Sequence, residues 1–422
     1  LLDLSTGDVL AQTSEYNAQV SRGDDVISRV IAAGRPGGLD DLQRLVTGTI
    51  GRLVERMCAT VGVDPGHLAF YVTAGNTVMT HLLMGVSPAY IRTEPYVPAA
   101  SRFPWLRAVD LGLPGGTCTG LEAVECPASW LGGDIVAGVV AAGLPWSERL
   151  TLFVDIGTNG EIVLGTRDWL VSCSCSAGPA FEGGGILHGM RAAAGAIEQV
   201  RVDTVTLQPS IATIEGARAV GICGSGIMDA VSELFLAGAI DRSGHFDPER
   251  AGERLREGER GLEYVLATAA DSGTGADIVL TETDIENLMR AKAAVYAGVT
   301  LLTENVGVAV TDIEEVVIAG GFGHYLDLER VISLGLLPEL EIERFVFIGN
   351  SSLLGAQLAC RSAEMRATCR RVAEMMTYVE LSASASFMDR YVSALFLPHT
   401  ETSLFPRTEA LLAERSRAGM AH

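Results

Sequence analysis

Lysine is almost missing from this chain: Lys292 stands alone among 422 residues, and arginine supplies the rest of the 31 basic side chains. No G-x-x-x-x-G-K-[ST] loop can be written, so P-loop nucleotide chemistry is excluded. A bound phosphate would have to be met by backbone N–H groups, arginine or a metal ion. The basic residues form no run to offset 52 acidic ones, and the formal charge of −21 makes nucleic acid and anionic lipid poor partners. The eight cysteines (Cys58, Cys118, Cys126, Cys173, Cys175, Cys223, Cys360 and Cys369) include no C-x-x-C pair, zinc-type spacing or plant-type iron–sulfur spacing. They read as reduced thiols of a cytoplasmic protein. The seven histidines show no metal spacing, and no G-x-S-x-G elbow is present. No apolar run reaches the roughly 18–20 residues of a membrane span. The chain opens on Leu1 without a charged leader, and reads as a piece of a longer protein.

Glycine, by contrast, is abundant at 48 residues, and a hydrophobic share of 48% is enough for a sizeable core. Strands and helices alternate, which predicts an α/β architecture. The opening LLDLSTGDVL reads as strand, turn and strand. Helices are expected over 25–33, 39–61, 132–142 and 223–239, and another from Gly75-Asn76 through Leu83, with Asn76 as a cap or hinge. A second block opens near Leu150 with LTLFVDIG, a turn at Thr158-Asn159-Gly160 and return strands through Cys173-x-Cys175, whose side chains share a face. A helix over 284–306 is expected to start on a Thr283/Glu286 capping box. EVVIA, Glu315 to Ala319, reads as a strand, and the tail from Phe387 as helix followed by loop.

Several strand-end glycine turns could carry chemistry. VDIGTNGE, Val154 to Glu161, delivers Asp155 to a strand end, followed by Gly157, Thr158, Asn159 and Gly160. Its N–H groups could face an anion, and Asp155 or Glu161 could hold a hydrated Mg²⁺. An ordinary Asn-Gly hairpin would give the same pattern. IAGGFG, Ile318 to Gly323, could let backbone lie flat against a planar ring, although a simple glycine turn reads the same way. SAGPAFEGGG joins a glycine loop to Glu182, and ICGSG leads Gly224, Ser225 and Gly226 into a helix N-terminus. Neither has Rossmann spacing. His81, His188 and His324 near these loops read as structural or surface residues.

Taken in order, AGNTVMTHLLMGVSP, VDIGTNGEIVLG, SAGPAFEGGGI, GMRAAAGAIE, ICGSGIMDA, VIAGGFGHYLD and FIGNSSLLGA resemble the ATPase region of the reductive activators of corrinoid proteins. That family lies in the actin, heat-shock-70 and sugar-kinase superfamily, and the resemblance covers almost the whole chain. It implies a two-lobed actin-like ATPase fold with RNase-H-like subdomains. Residues 1–149 would form a first lobe lacking its leading strand, and 150–422 a second lobe. VDIGTNGE would be the second phosphate motif and IAGGFG the adenosine motif; AGNTVMTHLL and FIGNSSLLGA would meet at a hinge. The implied reaction is ATP-driven reduction of a cobalt(II) corrinoid protein of a methyltransferase system to cobalt(I). Its electrons would come from an N-terminal [2Fe–2S] domain that nothing here matches. A first phosphate motif of DIGTT type is also missing, which puts ATP binding by this piece in question.

The expected cofactors are therefore ATP or ADP with Mg²⁺, and the expected partner is a corrinoid protein; a homodimer is compatible with this reading. Phosphate falls to Gly157, Thr158, Asn159 and Gly160, adenosine to Gly320, Gly321, Phe322 and Gly323, and metal or water contacts to Asp155 and Glu161. Gly224, Ser225, Gly226, Glu182 and Arg191 are placed near the nucleotide, Arg191 because lysine is not there to meet phosphate charge. Asp134 is a candidate base. A small-molecule kinase of the same superfamily and a nucleotide-free docking module are the rival readings.

Overall fold

The computed structural model describes residues 1–321 and 327–420; Phe322, Gly323 and His324 lie outside the described residues. The chain divides into two compact units. One comprises Leu1–Glu148, Gly165–Ser172 and Asn350–Tyr378; the other comprises Arg149–Leu164, Cys173–Gly349 and the chain from Val379 onward.

In the first unit, strand Phe70–Thr73 runs parallel to Gly120–Ala123, which pairs antiparallel with Leu106–Arg107. Helix Val26–Ala33 starts where the Asp25 carboxylate accepts the Ser28 N–H, and helix Thr77–Met84 starts where the Asn76 side chain accepts the Val78 N–H. Both are N-caps that satisfy donors the helix leaves open. Val30, Leu42, Val78, Leu82 and Ile91 bury one core cluster, and Phe103, Ala108 and Leu121 a second. Helices Gly133–Ala141 and Ser351–Arg361 approach so closely that a Cβ on Gly355 would lie 2.0 Å from the Ala137 carbonyl oxygen. His81 is buried as a structural residue. Its Nδ1 is 2.7 Å from the Thr77 carbonyl, Nε2 accepts the Ala100 N–H at 3.3 Å, and burial lowers its pKa. The opening hairpin is slighter than its sequence predicts: a single antiparallel bridge joins Leu2 and Val9.

In the second unit, Glu315–Ala319 lies between two parallel neighbours, Thr151–Ile156 and Phe345–Gly349. The chain continues from Thr151–Ile156 into Gly160–Thr166 and Trp169–Cys175, of which residues 165–172 belong to the first unit. Cys173 and Cys175 are both buried, and burial pushes the Cys175 thiol up to about 12, as befits inert core sulfur. Two further sheets, unforeseen from the sequence, follow: Ala196–Val202 with Pro209–Thr213 and Gly221–Ile222, and the antiparallel meander Leu255–Gly258, Gly261–Ala267, Ile278–Thr281. The long helix spans Glu282–Val306, and its capping box is Thr281/Asp284 rather than Thr283/Glu286. A helix over Pro406–Met420 follows the loop expected after the Phe387 helix.

Lys292, the single lysine, is buried on the long helix. Its Nζ donates to the carbonyls of Phe396 (2.5 Å) and Pro398 (2.7 Å), pinning the segment that leads to the last helix. Replacing it with methionine keeps the apolar stem but leaves two buried carbonyls without a donor. The expected loss is about 2–4 kcal/mol, read from urea unfolding midpoints. Burial also pushes the Lys292 pKa well below its ordinary 10.5. Between the folded and unfolded values only the unfolded chain holds the proton, so this group makes stability rise with pH there. That rise should vanish in Lys292→Met.

Candidate functional site

The parallel register sets Ala319 beside Asp155, so the two glycine turns begin at neighbouring strand ends of the second unit. Gly320 has φ +104°, and a Cβ there would stand 2.6 Å from the Ile156 carbonyl oxygen and 3.2 Å from Asp155 Oδ1. Only glycine lets these strand ends approach without strain. The motif expected to hold adenosine and the one expected to hold phosphate therefore meet, through Gly320 and Asp155.

At the turn expected to hold phosphate, the Gly157 N–H donates to the Asn159 carbonyl at 2.9 Å and closes the loop. That donor is committed to the turn. Thr158 is exposed and Asn159 half-buried, and neither backbone N–H has a hydrogen-bond partner among the described residues. The anion-receptive groups are thus those of Thr158 and Asn159, backbone and side chain together. Gly160 serves packing instead: a Cβ there would meet Cys175 Sγ at 2.8 Å and Val295 Cγ2 at 3.0 Å. Glu161 takes a hydrogen bond from Ser174 Oγ at 3.5 Å.

The glycine loop after Cys175 folds on itself. A Cβ on Gly189 would lie 1.9 Å from the Gly183 carbonyl oxygen, and one on Gly184 would lie 2.5 Å from Pro179 Cβ. This packing carries Glu182 to the phosphate turn, where its Oε1 lies 3.9 Å from the position of a Cβ on Gly157. Glu182 Oε2 is 3.8 Å from Arg191 Nη2, a long and partly exposed ion pair. Two residues overlooked in the sequence anchor the loop: Asp284 accepts the Leu187 N–H at 2.8 Å, and Asn287 Nδ2 donates to the Gly185 carbonyl at 2.9 Å. The cue for Asp284 was the Thr281-x-x-Asp284 spacing, since the same carboxylate caps the long helix.

Gly224, Ser225 and Gly226 form the first turn of helix Gly224–Ala237, and all three are buried. Ser225 Oγ lies 3.3 Å from Cys223 Sγ, and a Cβ on Gly226 would be 2.1 Å from the Ile197 carbonyl oxygen. Further along the helix, Asp229 Oδ2 accepts from the Val200 N–H (3.3 Å) and Arg201 Nη1 (2.9 Å), and Arg201 Nη2 reaches Asp327 at 2.9 Å. Glu233 accepts the Val202 N–H at 3.0 Å and pairs with Arg330 at 2.5 Å. Burial raises the Asp229 pKa from 3.8 to about 6 against the opposing pull of Val200 and Arg201. Between those values the folded protein keeps a proton that the unfolded chain has released, so stability falls as pH rises through that window. Asp229→Asn should flatten this fall, on the order of 2 kcal/mol, when urea midpoints are compared at the two ends of the window.

Asp134 sits in the first turn of helix Gly133–Ala141 in the other compact unit. Burial raises its pKa to about 6 although Oδ1 accepts the Ile135 N–H at 3.0 Å, a value close to what a general base needs near neutrality. Among the described residues no group of three or more His, Cys, Asp and Glu could by itself hold a metal ion, and no helix is long and apolar enough to cross a membrane.

Residues 149–409 match the C-terminal domain of RACo, the ASKHA domain, and residues 1–147 match the RACo middle region. The corrinoid activation enzyme RamQ of Eubacterium limosum is 34% identical over 403 residues, covering 93% of this chain and 67% of that protein. The [Co(II) methylated amine-specific corrinoid protein] reductase of Methanosarcina barkeri is 29% identical over 244 residues, covering 53% of this chain and 41% of its own length. A solved structure of a reductive activator for corrinoid, iron–sulfur protein superposes with a TM-score of 0.88 at 48% identity, covering 96% of this chain and 65% of that one. The chain thus spans 65–67% of the two relatives that it matches over nearly all its own length. It belongs to the RACo family of reductive activators of corrinoid proteins, and its fold is the actin-like ATPase fold of the ASKHA class.

Proposed function

We propose that this chain is the nucleotide-binding part of an activator that uses ATP to return a corrinoid protein of a methyltransferase system from cobalt(II) to cobalt(I). The observation that carries the reading is the meeting of the two glycine turns at Asp155 and Gly320. The residues there suit a nucleotide: the open donors of Thr158 and Asn159 suit phosphate, and the glycine surface at Gly320 suits close approach by a planar base. Gly321 would continue that surface; Phe322 and Gly323, the rest of the expected adenosine motif, lie outside the described residues. Asp155 and Glu182 are the carboxylates beside the turn, and suit a Mg²⁺ that keeps most of its water. Glu161 is a third carboxylate on the same hairpin. Arg191, whose Nη2 lies 3.8 Å from Glu182, would supply a guanidinium to meet phosphate charge in a chain with a single lysine. Gly224, Ser225 and Gly226 are buried in the first turn of helix Gly224–Ala237, and the contacts of Gly226 are with Ile197 and Ile222. Asp134, on the other compact unit, is kept as a candidate base for its raised pKa alone.

Bound ATP supplies the free energy, through its differential affinity for two conformations of the protein. The cobalt reduction takes one electron, delivered by a [2Fe–2S] carrier outside residues 1–422. We assign the chain to the cytoplasm. The test follows the cobalt(II)-to-cobalt(I) absorbance change with a corrinoid protein and the full-length activator, with and without ATP. Reduction that requires ATP is expected; an equal rate without it contradicts the proposal. Phosphoryl transfer to a small acceptor would point to a kinase instead.

A further inference from the structure

Trp105 is held in an unusual way for an exposed aromatic. A Cβ added to Gly120 would fall 2.4–2.7 Å from three atoms of the indole, so the ring lies over the bare backbone of strand Gly120–Ala123. It is nevertheless 54% exposed, and its Nε1–H has no hydrogen-bond partner among the described residues. An aromatic fixed on one side and open on the other loses little rotamer freedom when something covers it.

The ring borders a cavity of about 520 Å³ lined also by Arg102, Phe103, Glu122, Glu125 and Arg370, all in the first compact unit. Glu122 is paired with Arg366 (3.4 Å) and Arg370 (3.8 Å), and Glu125 with Arg370 (3.1 Å). Arg102 reaches Glu125 only at 3.7 Å, donates no hydrogen bond to a described residue, and keeps 56% of its side chain exposed. Three guanidinium groups therefore face two carboxylates, an excess of one positive charge in a chain whose formal charge is −21. Arg102 is the cation left over.

We propose that this cavity is the docking point for an acidic segment of the corrinoid protein, a partner whose identity rests on the function proposed above. A carboxylate of that segment seats on the Arg102 guanidinium, and a neighbouring apolar side chain covers the open face of Trp105. The charge balance selects the sign of the occupant: acidic surface elsewhere repels an acidic segment, and this island attracts it. Trp and Arg are also the side chains that most often dominate the binding energy of an interface.

The test measures binding of the corrinoid protein to the full-length activator, wild type, Arg102→Glu and Trp105→Ala, by calorimetry at two salt concentrations, with light scattering on each protein. Arg102→Glu breaks only a 3.7 Å contact, and Glu125 keeps its Arg370 partner at 3.1 Å, so the fold is expected to be retained. Each substitution is expected to weaken binding on the order of 30-fold. The salt dependence should shrink in Arg102→Glu, and ATP turnover without the corrinoid protein should stay as in wild type. Affinities within about twofold of wild type for both variants would overturn the proposal. So would loss of a dimer with corrinoid binding intact, which would give the surface to a second copy of the chain. A wild-type activator that binds no corrinoid protein overturns the functional reading and this proposal together, whereas binding unaffected by the substitutions overturns the docking site alone.

Discussion

Gly320→Val is expected to weaken nucleotide binding at least about 100-fold and to lower the melting temperature as well. The new Cβ would sit 2.6 Å from the Ile156 carbonyl oxygen, a backbone atom that gives way only if its strand end moves. The φ of +104° adds strain that any side chain must bear. Relief requires the ends of Glu315–Ala319 and Thr151–Ile156 to separate, which moves the Asp155 carboxylate, 3.2 Å from the same Cβ, along with the turn that follows it. Strain and overpacking together cost about 2–5 kcal/mol. Calorimetry with MgADP, accompanied by a thermal melt, separates the two effects: a folded variant with wild-type affinity would remove this strand pair from the nucleotide site.

Gly226→Val should be more damaging to stability and is expected to cost about 3–5 kcal/mol. Here the close approach is between helix Gly224–Ala237 and strand Ala196–Val202; the Cβ would stand 2.1 Å from the Ile197 carbonyl oxygen and 3.2 Å from Ile222 Cγ2. Every residue of that helix is buried, so it cannot tilt away without opening the core on its other side. The same displacement would pull Asp229 and Glu233 from the Val200 and Val202 N–H groups they accept from, leaving buried charges unmet. Urea denaturation of purified protein measures the loss; a midpoint near wild type would show that the helix and strand can part at little cost.

Gly226 illustrates which parts of this protein can be read from its residues. ICGSG announces a tight helix entry, but a glycine that admits a ligand and one that admits a neighbouring carbonyl look alike in sequence. Geometry assigns Gly226 and Gly160 to packing and Gly320 to the meeting of two strand ends. Strand Glu315–Ala319 was fully legible because a β-branched run ended in glycines, and the cap at Asn76 because a polar residue preceded an apolar helix. The true helix start at Thr281 was hidden because T-E-T-D-I-E contains two overlapping T-x-x-acid patterns. Thr281 prevails where the strand Ile278–Thr281 ends, with Asp284 also tied to the Leu187 N–H. The strands between residues 196 and 281 were not legible, since they are short, irregular and interrupted by glycine and charge. The return of Asn350–Tyr378 to the first compact unit was hidden as well, because no proline- or glycine-rich linker marks the crossing. Helix Pro406–Met420 drew no reading from the sequence although it opens with proline at a first helical turn, a position proline favours.

The most direct measurement is calorimetric titration of MgADP into the folded chain and, in parallel, into the full-length activator. Saturable one-to-one binding is expected in the activator, abolished by Gly320→Val and strongly weakened by Asp155→Asn. The absence of heat at about millimolar nucleotide in both proteins, with their fold verified, would contradict the assignment of a nucleotide site to the strand ends at Asp155 and Gly320.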